Sequence, residues 1–261
     1  MVRTPSIRDE FKFETEELHS YLIEDIAVIK IKSRVFEALT DLAESGKLIS
    51  LIQAAERIPD VKALMVINEP GCMDENEYDK FLHRILERGI DPFAPEEERG
   101  IVQRVDRVRE INILNRTISQ LIEFKKVSVM ALQGNIVTPF FGASLSVDFR
   151  YAAEDASFSL AHLEYGLHPT GALPFFLPRY LGQSKAVELL FRGERISARE
   201  AMNLGLVNAV FPSGDFENKC IAEIEKICHL DTRVIHATKL LLHFSKAELQ
   251  HYFDTEAALL H

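Results

Sequence analysis

The first third of the chain alternates short apolar runs with one amphipathic stretch. Residues 26–31 (IAVIKI) are rich in β-branched side chains, and residues 62–68 (KALMVIN) form an apolar run between two prolines. Both runs have the length and composition of β-strands. Between them, apolar residues recur at helical spacing: Leu39, Leu42, Leu48, Ile49, Ile52 and Ala55. The pattern predicts a β-α-β unit, in which two parallel strands are joined by a right-handed crossover.

A long helix and a buried strand follow. Apolar residues step by three or four positions, the period of an amphipathic helix, at Ile101, Val105, Val108, Ile111, Leu114, Ile118 and Leu121. Residues 127–132 have the composition of a buried strand, which Gly134 closes. From residue 216 to 261 the pattern is almost entirely helical. No run of about 18 apolar residues occurs, so we expect no membrane-spanning helix.

Residues 134–148 join the end of a strand to the start of a helix. Thr138 has a side-chain oxygen suited to an N-cap, and Pro139 fits the first helical position, so we expect a helix that continues through Val147. Helix N-termini offer backbone N–H groups and a partial positive charge, which stabilise a developing oxyanion. A purely structural role as a helix start explains the same pair of residues equally well.

Composition narrows the classes of function. With 261 residues, 47% hydrophobic and 27% charged, the chain can bury the core of a globular protein. A net charge of −10 argues against a nucleic-acid partner. Three cysteines without CxxC spacing (Cys72, Cys220, Cys228) predict free thiols, and neither disulfides nor a metal site. Because no apolar leader segment begins the chain, we expect a cytoplasmic location.

The stretch from residue 126 to residue 211 resembles the crotonase (enoyl-CoA hydratase/isomerase) family. The resemblance rests on the strand with Gly134, the helix ending in Asp148, and the segments AAEDASFSL, LPRYLG and RISAREAMNLGLVNAVF, which follow in the family's order. It covers about a third of the chain. It implies an α/β fold, a crotonase-like spiral of repeated β-β-α units at residues 1–196, with a C-terminal helical oligomerisation segment at residues 197–261. It also implies a homotrimer or homohexamer.

The same resemblance implies a CoA thioester as substrate, no permanently bound cofactor, and two backbone N–H donors to the thioester oxygen. One donor position falls on Pro139, which has no N–H, so Phe140 is the expected donor. The other falls in the loop at Met73, where an ordinary Pro-Gly turn is the alternative. Phe140, Phe141 and the LPFFL segment after them suggest an apolar pocket wall, although core packing explains these aromatics equally well.

The two glutamates that handle water in hydratases of this family align with Gly142 and His162. Glycine cannot transfer a proton, so we do not expect hydration by a glutamate pair. His162 can transfer a proton near neutral pH. If residues 158–164 are extended, Glu164 lies on the same side as His162 and orients it. Alternatively, His162 is an interior histidine and Glu164 a surface acid. His168 is a second candidate, with no evident local partner.

The sequence therefore predicts a protein that binds an acyl-CoA-like thioester and catalyses isomerisation, proton transfer or another enolate-type step. The alternative is a catalytically degenerate homologue that serves as a ligand-binding or assembly subunit. Whether the chain is an enzyme is left open at this point.

Overall fold

The computed structural model describes residues 6–40, 45–87, 96–164, 166–242 and 244–259. The strands in this part of the chain are β1 (Phe13–Glu14), β2 (Leu18–Ile23), β3 (Ile26–Ile31), β4 (Ala63–Asn68), β5 (Val127–Leu132), β6 (Asn135–Val137), β7 (Phe149–Ala153), β8 (Ser157–Ser159), β9 (Ile196–Ser197) and β10 (Ala209–Phe211).

The helices are α1 (Ile7–Phe11), α2 (Val35–Thr40), α3 (Ser45–Arg57), α4 (Glu75–Glu87), α5 (Glu96–Glu123), α6 (Thr138–Ser144), α7 (Leu173–Leu181), α8 (Gln183–Arg192), α9 (Ala198–Asn203), α10 (Phe216–Cys228), α11 (Thr232–Leu242) and α12 (Lys246–Ala258). Short 3-10 helices span Ala161–Leu163 and Ser213–Asp215. Within the described ranges, none of these helices has the length and apolar character that crossing a membrane requires.

Two sheets form the scaffold. The larger has the strand order β1-β2-β3-β4-β5-β7-β10, in which every neighbouring pair from β3 to β10 is parallel and the pairs β1–β2 and β2–β3 are antiparallel. The smaller has the order β6-β8-β9. The parallel β3–β4 pair confirms the predicted β-α-β unit. Its connection contains two helices, α2 and α3, and the predicted position Leu42 lies outside the described residues.

Both faces of the large sheet are buried, which is why its central strands are continuous apolar runs. Every residue of β4 and of β5 is buried. One face joins the main core, and the other packs against α10 through Phe216, Cys220 and Ile224. The three cysteines are buried free thiols, as expected. Burial raises the pKa of each thiol to about 12, so all three are protonated near neutral pH.

The C-terminal helices are tied to the sheet by a buried ion pair. Lys239 of α11 donates from Nζ to Asp148 Oδ2 at 2.7 Å and to the carbonyl oxygen of Lys126 at 3.1 Å. The same carboxylate oxygen accepts from the backbone N–H and the hydroxyl of Ser128, at 2.8 and 2.9 Å. Asp148 thus joins three segments. The expected boundary after residue 196 falls inside β9, and β10 belongs to the main sheet.

Asp148→Ala is expected to lower the free energy of unfolding by about 3 kcal/mol, because it leaves the Lys239 ammonium buried without its counter-charge. The Lys239 side chain is only 9% exposed. Urea denaturation at neutral pH measures the loss. The control is Lys246→Met, which removes the exposed pair with Glu123 and should cost less than about 1 kcal/mol. Equal losses in the two variants would contradict a structural role for the buried pair.

Candidate active site

The site is organised by the parallel pairing of β6 with β8. Val137 lies opposite Ser159, and both strands end at these residues. Because parallel strands end at the same edge, α6 and the 3-10 helix at 161–163 start side by side. This arrangement brings Thr138 next to His162, with 2.8 Å between Thr138 Oγ1 and His162 Nδ1. The Thr138 hydroxyl also donates to the carbonyl oxygen of Ser159 at 3.2 Å.

These contacts correct the predicted start of α6. The N-cap is Val137, which makes no side-chain capping bond, and the helix ends at Ser144. The Thr138 hydroxyl does not cap α6, because its hydrogen bonds go to the neighbouring strand and to the imidazole. Pro139 lies in the first turn, as expected, and supplies no N–H to this end of the helix.

His162 is a buried histidine, 1% exposed, whereas Glu164 is exposed. These positions match the alternative of an interior histidine and a surface acid. The condition for the other arrangement, an extended backbone through Glu164, is not met, because β8 ends at Ser159 and the N–H of Leu163 donates back to the carbonyl oxygen of Leu160. The period of two therefore does not apply, and the structure gives no hydrogen bond between these two side chains. His168 is partly buried in the segment that follows, where the N–H of Leu167 donates to the His162 carbonyl oxygen at 2.9 Å.

The two candidate oxyanion segments meet just before α6. The N–H of Val137 donates to the carbonyl oxygen of Met73 at 3.0 Å, so the loop before α4 is held against the strand that leads to Phe140. Close packing of Gly134 supports this contact. Its φ is +69°, and a Cβ at this position would lie 3.4 Å from the Cα of Pro70. Met73 and Phe140 are both buried, at 1% and 4% exposed.

A polar network next to the site was not predicted from the sequence. The Ser159 hydroxyl donates to Glu75 Oε1, and Glu75 Oε2 accepts from Arg195 Nη2 at 2.7 Å. Arg195 also donates to the hydroxyl of Ser157, at 3.4 Å. Glu75 and Arg195 are 120 residues apart. No local pattern marks either residue, because only the tertiary fold brings them together.

Gly142 faces a backbone rather than an open space. A Cβ at Gly142 would lie 2.3 Å from the carbonyl oxygen of Gly171, and a Cβ at Gly171 would lie 2.0 Å from the carbonyl oxygen of Pro139. Gly171 has a φ of +70°. The turn at 170–173 and the first turns of α6 therefore touch backbone to backbone. In this conformation the position at 142 has no room for any side chain.

The aromatic residues of α6 belong to the main core. The ring of Phe140 lies 4.9 Å from that of Phe36, and Phe141 lies 4.7 Å from Phe158. Neither Phe140 nor Phe141 lines the three grooves at residues 52–253, 122–244 and 49–257. Core packing, the second of the two explanations offered for these aromatics, accounts for their contacts.

Gly142→Ala is expected to destabilise the fold by about 1–3 kcal/mol, because the added methyl group meets backbone atoms that cannot rotate away. Gly46→Ala is the matched control. Gly46 is also helical, but a Cβ there meets nothing within 4 Å, and the substitution should be neutral or stabilising by up to about 1 kcal/mol. Chemical denaturation measures both variants. A neutral Gly142→Ala would contradict the close packing against residues 171–173.

The chain resembles curated proteins over part of their length. It is 28% identical over 163 residues to the probable enoyl-CoA hydratase EchA12 of Mycobacterium tuberculosis, covering 59% of this chain and 57% of that protein. It is 28% identical over 148 residues to enoyl-CoA delta isomerase 2 of Rattus norvegicus (55% and 37%) and over 155 residues to testis-specific chromodomain protein Y 2 of Homo sapiens (58% and 28%). The chain thus spans 28% to 57% of the length of these relatives.

Solved structures share the fold at low sequence identity. An enoyl-CoA hydratase from Bacillus halodurans superposes with a TM-score of 0.75 at 21% identity, covering 94% of this chain and 93% of that chain. HypX from Aquifex aeolicus (A392F-I419F variant) gives 0.74 at 17%, covering 95% and 42%. The likeness confirms the expected crotonase-type α/β fold. The family model for enoyl-CoA hydratase/isomerase matches residues 102–261, and the chain therefore belongs to this family, the crotonases.

Proposed function

We propose that this chain binds an acyl-CoA-like thioester and catalyses isomerisation or another enolate-type proton transfer, without the hydration that uses two glutamates. The observation that carries the proposal is the hydrogen-bonded His162 beside the start of α6, at the position where hydratases of the family have a glutamate. A histidine can take up and release a proton near neutral pH.

The packing around Gly142 favours isomerisation over hydration. Adding water to a double bond needs one group to activate the water and a second to deliver a proton. Moving a double bond needs only one base, which removes a proton from one carbon and returns it to another. A side chain at 142 would collide with Gly171, so His162 is the single proton-transfer group that we propose at the two aligned glutamate positions.

The remaining roles concern the thioester oxygen, which gains negative charge as the enolate forms. We assign its donors to the backbone N–H of Phe140 and to the loop at Met73. A hydrogen bond from the N–H of Val137 to the carbonyl oxygen of Met73 holds this loop against the strand that leads to Phe140. Because Pro139 has no N–H, we expect weaker stabilisation of this charge and slow turnover. Glu164 is exposed, so it has no orienting part in this proposal. His168 stays a candidate for contact with the substrate.

The second function is a ligand-binding or assembly subunit without turnover. Two observations favour it. His162 is 1% exposed, and the turn at 170–173 lies against α6 where hydratases hold a carboxylate. In either case the proposed ligand is a CoA thioester and the protein needs no resident cofactor. We also propose a cytoplasmic location, which the three free thiols support.

His162→Gln is expected to lower the rate of isomerisation, or of exchange of the substrate's α-proton with solvent deuterium, by a factor of about 10² to 10⁴, because it removes the proposed base. NMR of a panel of enoyl-CoA and acyl-CoA thioesters measures both reactions, and calorimetry should show nearly unchanged binding. Crotonyl-CoA hydration should be weak or absent in the unaltered protein. The control is the exposed His251→Gln. Activity that survives at His162→Gln, or binding without any exchange, would favour the subunit without turnover.

We propose self-association, as a homotrimer or homohexamer, through the outer face of α11. On this face Val234 and Leu241, seven residues apart, are 60% and 88% exposed, and Leu242 at the end of the helix is 79% exposed. Leu242 lines a groove of about 710 Å³, whose wall also includes Val147 and Tyr180. A contiguous apolar surface of this kind is typical of an interface between chains. The charge of Lys239 is directed inwards, to Asp148, so the outer face of this helix can be apolar.

Leu241→Asp is expected to shift the protein to a smaller species, because burying a carboxylate in an apolar interface is costly. Light scattering at micromolar concentration gives the mass. Phe191→Asp is the matched control, since Phe191 is also highly exposed, at 78%, but lies on α8. A monomeric unaltered protein would contradict the assembly, and equal effects of the two substitutions would contradict its assignment to α11.

A further inference from the structure

The side chain of Asn68 continues the pairing of β4 with β5 beyond the point where the backbone pairing ends, at Ile67 and Ala131. Its Oδ1 accepts from the backbone N–H of Gln133 at 3.0 Å, and its Nδ2 donates to the carbonyl oxygen of Gln133 at 2.9 Å. Residues of paired strands exchange N–H and C=O groups in the same way. The Gln133 side chain donates from Nε2 to the carbonyl oxygen of Asn68 at 2.8 Å. Three hydrogen bonds therefore join the end of β4 to the residue that follows β5.

These contacts use the whole carboxamide of Asn68. Nδ2 also donates to the carbonyl oxygen of Glu69 at 3.0 Å, so both of its protons and Oδ1 are bonded to the backbone. Asn68 is 2% exposed. A reversed amide would place its oxygen against two carbonyl oxygens and its NH₂ against an N–H, which is unfavourable in a buried position. A carboxylate of the same size accepts but cannot donate, so it cannot replace the carboxamide here.

Two segments, residues 69–73 and 133–137, lie side by side between Asn68 and the candidate site. At their far ends, the N–H of Val137 donates to the carbonyl oxygen of Met73 at 3.0 Å. Between these points they pack closely at the glycine with positive φ described above. The segments thus touch at their start, middle and end. Asn68 makes the contact at the start, where both segments leave the sheet, and so limits sliding of one segment along the other.

We infer that Asn68 is a positioning residue that holds the two proposed donors to the thioester oxygen, the N–H of Phe140 and the loop at Met73, in one arrangement. The two segments come from distant parts of the chain, since Asn68 and Gln133 are 65 residues apart. Their relative position matters, because a misplacement of about 1 Å at a reacting centre can lower a rate about a hundredfold. The catalytic consequence rests on the proposed function, whereas the coupling of the two segments does not.

Asn68→Asp tests the coupling in the full chain, because it keeps the size and the acceptor of the side chain and removes both Nδ2 donors. We expect amide hydrogen exchange in residues 134–138, measured by mass spectrometry, to rise about tenfold or more, with residues 127–132 unchanged. Asn208→Asp is the matched control. Asn208 accepts from the N–H of Arg150 at 2.8 Å, a bond that a carboxylate keeps, and it precedes β10, which β7 separates from β5. Exchange in residues 134–138 should not change in this variant.

A second variant and a measurement on the unaltered protein support the same test. Gln133→Met removes only the bond from Gln133 Nε2 to Asn68, and should raise exchange in residues 134–138 by a smaller factor than Asn68→Asp. In the unaltered protein, NMR should show slow exchange of the Asn68 carboxamide protons with solvent, since both are bonded in a buried position. The signals that disappear in Asn68→Asp identify them.

Fast exchange of the Asn68 carboxamide protons in the unaltered protein would overturn the inference, and this measurement needs no variant to fold. Unchanged exchange of residues 134–138 in Asn68→Asp, or an equal rise throughout β5, would also overturn it. With a substrate in hand, Asn68→Asp should lower kcat about tenfold to a hundredfold with little change in KM, and an unchanged kcat would overturn the positioning role. If exchange rises as expected but the unaltered protein converts no thioester, the proposed function fails and the coupling of the segments stands.

Discussion

Contact between two backbones determines the geometry of the site. Gly142 and Gly171 lack a Cβ, and only for this reason can the turn at 170–173 lie directly on α6. The contact holds the middle of α6, while the pairing of β6 with β8 places Thr138, at its start, within hydrogen-bond distance of His162. Position 142 therefore has no space for a carboxylate side chain in this conformation.

With His162 as its one proton-transfer group, the proposed site would select among the reactions of its family. Isomerisation returns the proton that it removes, so the same histidine serves both steps and ends in its starting state. Hydration consumes a water molecule and needs two groups in opposite protonation states. The fold can thus be retained while the chemistry contracts to the steps that one base can complete.

Local patterns predicted the scaffold, and tertiary contacts decided the site. Burial leaves a pattern of apolar residues that can be read directly from the sequence. This pattern predicted the strands β3, β4 and β5 and the helix α5. The role of Thr138 was predicted wrongly, because a sequence cannot tell whether a hydroxyl bonds to its own helix or to a neighbouring strand. The predicted alignment of Glu164 with His162 failed because a turn at Leu160–Leu163 replaced the extended backbone. The resemblance identified the empty glutamate position, but not the turn that fills it.

The ion pair of Lys239 and Asp148 links α11 to the segment between α6 and β7. Lys239 lies on the inner side of α11, whose outer side carries the exposed leucines, and Asp148 lies between α6 and β7. A rotation of α11 would pull on the carboxylate, since the Lys239 side chain is 9% exposed and its ammonium lies 2.7 Å from Asp148. If the chain self-associates through α11 as proposed, the interface and the segment that follows α6 would therefore move as one mechanical unit.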